Sequence, residues 1–236
     1  MFERPHHQRI AHVLASLDGA VLRRHGCLFG GGTCIALRHG EYRESVDIDF
    51  LVSDAAGYRE LRQLLTGPHG LGAITHAHAQ PLATLKEIRA DQYGIRTQVR
   101  MDGVAIKFEI VREARIALEP PAARDAICGV STLTRLDLAA SKLLANSDRQ
   151  ADDGVFSRDV IDLAMMGLPL PTLRAAAAKA EEAYGPSVGR DLGKAIDRLQ
   201  SRDGWMDRCM QAMGMQLPKA VLWQKVRALR RILPAA

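Results

Sequence analysis

The chain has 236 residues, enough for one large domain or two small ones around a buried core. Hydrophobic residues make up 47 % and charged residues 25 %, the balance of a soluble globular protein, while aromatics at 5 % argue against a stacking platform of the RNA-recognition kind. The formal charge of +5 is a modest excess, compatible with a nucleotide or RNA partner without demanding one. No apolar run approaches bilayer-spanning length, and the polar, His-rich first nine residues lack a signal core. Cys27, Cys34, Cys128 and Cys209 have no CxxC spacing, so they predict reduced, mostly buried thiols in a cytoplasmic protein.

In chain order, Ile10, Val13, Leu14, Leu17 and Val21 recur at helical spacing and predict one amphipathic helix over residues 5–24. Cys27, Leu28 and Phe29 form a short apolar strand that runs into Gly30, Gly31 and Gly32. Thr33 is suited to start the helix that follows. Residues 46–52 (VDIDFLV) alternate acidic and apolar side chains, which puts Asp47 and Asp49 on one face of a strand. A helix is expected over 58–65. Two strand-like runs follow, 94–101 and 104–111, joined by Asp102 and Gly103 as a hairpin turn. In the second run Ile106, Phe108 and Ile110 share one face, and Lys107 and Glu109 the other.

Beyond about residue 131 strand signals stop. Helices are expected over 133–144, 158–166 with Ser157 as N-cap, 173–183, 188–199, 205–213 and 219–233, with Trp205 and Trp223 as core anchors. The order predicts an α+β half over residues 1–125 and a helical half over 126–236, the change marked by Pro120 and Pro121.

Three acids on neighbouring strands beside a glycine turn suit nucleotidyl transfer. Magnesium takes hard oxygen ligands, usually a few carboxylates plus substrate phosphates, and two such ions can stabilise the attacking and leaving oxygens of an in-line displacement. Asp47 and Asp49 supply the paired carboxylates, and Glu109 is the natural third. Gly31 and Gly32 let backbone approach a triphosphate, and Thr33 adds a hydroxyl. Each signal alone is weak: a GGT is usually a turn, a DxD usually a solvated strand face. Their order along the chain is what carries weight.

The stretch FGGGTCIALRHGEYRESVDIDFLV resembles the signature of DNA polymerase beta-like nucleotidyltransferases, specifically the AbiEii/AbiGii-type toxins: a GGT turn, Ala36-Leu37 on a helix, Arg43-Glu44-Ser45, and Asp47-Ile48-Asp49. Lys142-Leu143-Leu144-Ala145, Arg149 and Arg158-Asp159-Val160-Ile161-Asp162-Leu163 resemble the family's helical motif, so the likeness covers residues 26–165. The fold it implies is a polymerase beta-like core, a mixed sheet with flanking helices, followed by a C-terminal helical bundle. By the same resemblance Asp47, Asp49 and Glu109 ligate two Mg2+ ions (or Mn2+), with Glu109 helping to deprotonate an acceptor hydroxyl. Gly31, Gly32 and Thr33 hold phosphates, and Lys142 neutralises the triphosphate. Arg43, Ser45, Arg149, Asp159 and Asp162 join the nucleotide site. For Asp159 and Asp162 a structural ion pair with Lys142 or Arg149 stands as an equal reading. Arg43 has a pairing alternative with Glu41 or Glu44, and Ser45 one as a cap at the strand entry.

The resemblance implies transfer of a nucleoside monophosphate from an NTP to tRNA or a protein hydroxyl, with release of pyrophosphate, in a toxin of a toxin–antitoxin or phage-defence pair with a cognate antitoxin and no membrane partner. Two other readings stand beside it: modification of a small hydroxyl compound of the aminoglycoside type, which the basic charge disfavours, and a non-catalytic nucleotide- or RNA-binding module. Intact paired aspartates oppose the latter, because two close carboxylates repel without a cation. Arg227, Arg230 and Arg231 form a basic patch that is either a solvated face or an RNA contact.

Overall fold

The computed structural model describes residues 2–233. It divides into two compact units. One holds the chain up to Arg38 together with Ser45–Thr134; the other holds His39–Glu44 together with the chain from Arg135 onward. The first is α+β and the second helical.

The first unit opens with α1 (Pro5–Ser16) and α2 (Gly19–Arg24), where the sequence predicted one continuous helix. The break falls at Asp18, whose carboxylate accepts the backbone N–H groups of Ala20 and Val21 at 2.9 and 3.0 Å and so caps a second helix. Next come β1 (Leu28–Phe29), α3 (Gly31–Arg38), β2 (Ile48–Val52) and α4 (Ala55–Thr66). Then β3 (Ala83–Ala90), β4 (Gly94–Met101) and β5 (Val104–Arg112) complete a five-stranded mixed sheet in the order β1-β2-β5-β4-β3. β2 runs parallel to β5, and the other pairs are antiparallel.

Period-two alternation sets the two faces of this sheet. Ile48, Phe50 and Val52 of β2, Ile106, Phe108 and Ile110 of β5, and Ile95, Thr97 and Val99 of β4 are buried. The Phe29, Phe50 and Phe108 rings follow one another at 5.5 and 5.6 Å through this core. The opposite face carries the acidic and basic residues. The predicted hairpin is present: Asp102 (φ 49) and Gly103 (φ 77) both adopt the left-handed conformation that a two-residue turn with native twist requires.

β3 has no counterpart in the sequence reading. Most of its residues are exposed, so it shows no alternation of buried and polar positions. A short hairpin of β6 (Ala126–Ile127) and β7 (Val130–Ser131) also belongs to this unit, where the sequence placed the stretch in the helical half. It is tied in by the Leu133 N–H donating to the Phe29 carbonyl at 2.9 Å and by Arg38, which bonds the Thr132 hydroxyl and the Asp125 carboxylate.

The second unit contains α5 (Arg135–Arg149), α6 (Arg158–Met165), α7 (Leu170–Tyr184), α8 (Ser187–Ser201), α9 (Trp205–Ala212) and α10 (Lys219–Ala228), then a 3-10 turn over Leu229–Ile232. Leu143, Leu144, Ile161, Ala176, Ala180, Ile196 and Val226 are fully buried among these helices. α7 packs against α5 and α8, and Ala176 and Ala180, one turn apart on it, are fully buried. Pro171 sits in the first turn of α7, where its missing N–H costs nothing, so it starts a helix rather than breaking the chain. Trp205 is a core residue, 2 % exposed, whereas Trp223 is only half-buried, with Arg227 stacked on its ring.

Candidate active site

The glycine turn is fixed to β2 from two sides. The Gly30 N–H donates to the Asp49 carbonyl at 2.8 Å, which holds the turn beside the strand. Gly31 then turns into α3 with φ 68, a left-handed value that a side chain resists. A β-carbon at Gly31 would stand 2.6 Å from the Asp49 Oδ2, so the Asp49 carboxylate lies where any other residue would put its side chain. α3 begins at Gly31, two residues before the Thr33 start read from the sequence. The first backbone N–H groups of that helix, those of Gly31, Gly32 and Thr33, lack intrahelical acceptors, as at every helix start.

The hydroxyl of Thr33 is engaged within the chain. Thr33 is buried and its Oγ1 donates to the Ser45 Oγ at 2.8 Å. The Ser45 N–H in turn donates to the His7 Nε2 at 3.1 Å. Thr33, Ser45 and His7 thus brace the turn against the approach to β2.

Asp49 and Glu109 are direct partners in the parallel β2–β5 register, so both side chains leave the same face of the sheet on strands about 4.8 Å apart. Asp47 lies one residue before β2 begins, not within the strand as the alternation suggested. The Glu109 carboxylate is held by two cations: Lys107 Nζ at 2.6 Å and Arg96 Nε at 3.2 Å. Partial burial works against the Lys107 charge, but the bond to Glu109, then the fields of Glu109, Asp47 and Asp49, raise its pKa above the ordinary lysine value. All three acids therefore act on one cationic centre. Among the described residues no three His, Cys, Asp or Glu close around a point as a metal cage. The Glu109 carboxylate is engaged by Lys107 and Arg96 in this arrangement.

The downstream motif residues form a buried ion-pair cluster within the helical unit. Arg43 meets Asp162 side-on, Nε to Oδ1 at 2.7 Å and Nη2 to Oδ2 at 2.9 Å. The Tyr42 hydroxyl donates to the same Oδ1 at 2.6 Å. Lys142 bridges Asp162 at 2.7 Å and Asp159 at 3.0 Å, and Arg149 clasps Asp159 at 2.6 and 2.9 Å. Burial pushes both carboxyls upward, yet the adjacent Lys142, Arg149 and Arg43 charges hold Asp159 and Asp162 below the usual carboxylate range. Of the two readings open for Asp159 and Asp162, the geometry favours the structural ion pair. Arg43 pairs with Asp162 rather than with Glu41 or Glu44, and Lys142, only 8 % exposed, is engaged on both sides. Of the C-terminal arginines, Arg230 pairs with Asp197 and Arg227 lies over the Trp223 ring, while Arg231 is exposed.

The model of the family described as the nucleotidyl transferase AbiEii toxin, of type IV toxin–antitoxin systems, matches residues 13–231. The chain belongs to this family. It is a nucleotidyltransferase of a toxin–antitoxin toxin lineage. The crystal structure of JHP933 from Helicobacter pylori is similar at 15 % identity, TM-score 0.52, over 99 % of this chain and 95 % of that one, a likeness of fold. A second Helicobacter pylori structure, described as a candidate nucleotidyltransferase, aligns at 14 % identity and TM-score 0.49 over 96 % of each chain. No protein of curated function matches the sequence.

In this AbiEii-family enzyme three site neighbours escaped the sequence reading. Lys107 was legible on the Glu109 face and Arg96 as a strand cation, but that Arg96 meets Glu109 required the β4–β5 register. His7 was assigned to surface or core, and its tie to Ser45 spans 38 residues. Among the described residues no helix is long and apolar enough to cross a membrane.

Proposed function

We propose that this enzyme transfers a nucleoside monophosphate from an NTP to an acceptor hydroxyl and releases pyrophosphate, and that it acts as the toxin of a pair with a cognate antitoxin. The observation that supports this most directly is the Asp49–Glu109 register pair beside the Gly31 turn. It joins two acids to a helix start whose amides suit phosphate. Lys107 offers a test of whether a cation suits the site: its ammonium sits 2.6 Å from the Glu109 carboxylate, on the face Asp49 shares, so the oxygen donors there are hard, anionic and already engage a cation.

On this reading Asp47 and Asp49, with nucleotide phosphates, hold Mg2+ or Mn2+, and Glu109 is the third carboxylate of a two-ion site. Bound ions would neutralise phosphate charge and stabilise the attacking and leaving oxygens. The chain's own contribution is positional. Gly31 and Gly32 present backbone amides to the triphosphate. Asp49 is held against that turn by the Gly30 bond. Glu109 is placed to accept the acceptor's proton once Lys107 and Arg96 yield it, and those two cations then face the phosphates. The acceptor is RNA, tRNA included, or a protein hydroxyl.

The test is incubation of the purified chain with α-labelled NTPs, Mg2+ and total RNA or protein. Wild type is expected to label an acceptor that Asp47→Ala and Asp49→Ala leave unlabelled. Equal labelling by all three would overturn the reading.

A further inference from the structure

The sheet face that carries the acids does not end with them. Register places Asp49, Glu109, Arg96 and Arg89 in one row across β2, β5, β4 and β3, and cross-strand partners share a face. The row spans three strand spacings, about 14 Å. The next row on that face runs Lys107, Gln98 and Lys86, and beyond it Arg100 stands between Ala105 and Ala83. One end of the face is acidic and the rest basic.

These cations differ in how they are engaged. Arg96 is shared by Glu109 and Asp91, and Lys107 is held by Glu109. Lys86, Arg89 and Arg100 are exposed and form no ion pair among the described residues. Glu87 is the one acid on β3, in the irregular stretch between Lys86 and Arg89. Three unpaired cations on an edge strand and its neighbour exceed what keeping a sheet edge from self-pairing requires.

We propose that this β3–β4 face is the docking surface for an RNA strand, its phosphates on Lys86, Arg89 and Arg100 and a ribose on Gln98. Charge complementarity selects a polyanion. Gln98, half-buried between the two cation rows, offers an amide that both donates and accepts, as a ribose 2′-hydroxyl does, which favours RNA over DNA. The inference rests on the transfer reading only for direction: the row of residues leads the strand toward Asp49 and Glu109.

The experiment measures binding of a labelled single-stranded RNA 20-mer to the full chain by fluorescence anisotropy, without NTP or divalent ion, across a salt series. The R89Q/R100Q variant is expected to bind about tenfold more weakly at low salt, with the log–log salt slope reduced by about 1.4, two contacts at about 0.7 each. R174Q/R190Q, which removes two exposed charges from the helical unit, leaves binding unchanged. The proposal is overturned if wild type does not bind RNA, if R89Q/R100Q binds like wild type, if R174Q/R190Q weakens binding equally, or if DNA of the same sequence or polyglutamate binds more tightly than RNA. Because neither nucleotide nor metal is present, failure of the transfer reading leaves this result intact, and the reverse holds.

Discussion

Asp49 occupies the volume that a side chain on Gly31 would need, its Oδ2 lying 2.6 Å from the missing β-carbon. Any residue with a side chain at position 31 must either adopt a strained left-handed backbone or move the carboxylate.

Gly31→Ala therefore carries two penalties, and Gly26→Ala separates them. Gly26 also has positive φ, 62, but nothing lies within 4 Å of its missing β-carbon. Gly26→Ala is expected to cost about 1–2 kcal/mol of stability, the backbone strain alone, with activity retained. Gly31→Ala costs more, and transfer activity falls about 100-fold because a displacement near 1 Å at a reacting group has that effect. Denaturant melts and initial rates on the two variants check both expectations.

The buried cluster in the helical unit predicts a stability effect that does not depend on the nucleotide. Asp162 is fully buried and balances Arg43 and Lys142. Asp162→Asn leaves Arg43 without its carboxylate and Lys142 with Asp159 alone, and is expected to destabilise the helical unit by about 3–5 kcal/mol. Arg43→Lys loses the planar, two-bond match to the carboxylate and also destabilises, though less. Both tryptophans lie in this unit, so intrinsic fluorescence during urea unfolding reports on it.

The same cluster sets an acid limit. Asp159 and Asp162 titrate below their unfolded value in the folded chain. Groups of this kind stabilise the fold fully above the unfolded carboxylate pKa, about 3.9, and the contribution disappears as pH falls through the lower folded values. The tryptophan-monitored midpoint is expected to be flat with respect to these two groups above about pH 5 and to drop below about pH 4. In Asp162→Asn that drop shrinks. An unchanged acid profile in the variant would exclude Asp162 as a source.

Ser157 predicts a smaller, local effect. It precedes α6 as the sequence suggested, but its backbone is left-handed (φ 51) and its hydroxyl caps nothing; instead it accepts the Trp205 indole N–H at 2.9 Å. Ser157→Ala leaves a buried donor unpaired, and a loss of about 1–3 kcal/mol is expected, seen in the same fluorescence melts.

These cases show what the sequence made legible. The glycine turn, the acidic strand and the Asp102-Gly103 hairpin were readable because each is local: a conformation only glycine adopts easily, a period of two, a turn only a few residues tolerate. β3 was not, because its residues are mostly exposed and leave no buried stripe to read. The fate of Lys142 was not legible either. A helix lysine seven residues from an arginine is equally a phosphate ligand or half of an ion pair, and only the approach of α6 with the Tyr42-Arg43 segment decided it. Likewise Glu109 was identifiable as a strand acid with Lys107 on its face, but its capture by Arg96 depends on the β4–β5 register.

The central claim is that Asp49 and Glu109, side by side on β2 and β5, perform the transfer. Its most direct test is pyrophosphate release by wild type, Asp49→Asn and Glu109→Gln with matched circular dichroism. The Glu109 ion pairs involve half-exposed cations, so Glu109→Gln should alter stability by less than about 1 kcal/mol. The account predicts that each variant releases pyrophosphate at least about 100-fold more slowly while folding as wild type does. Release at the wild-type rate by either folded variant would contradict it.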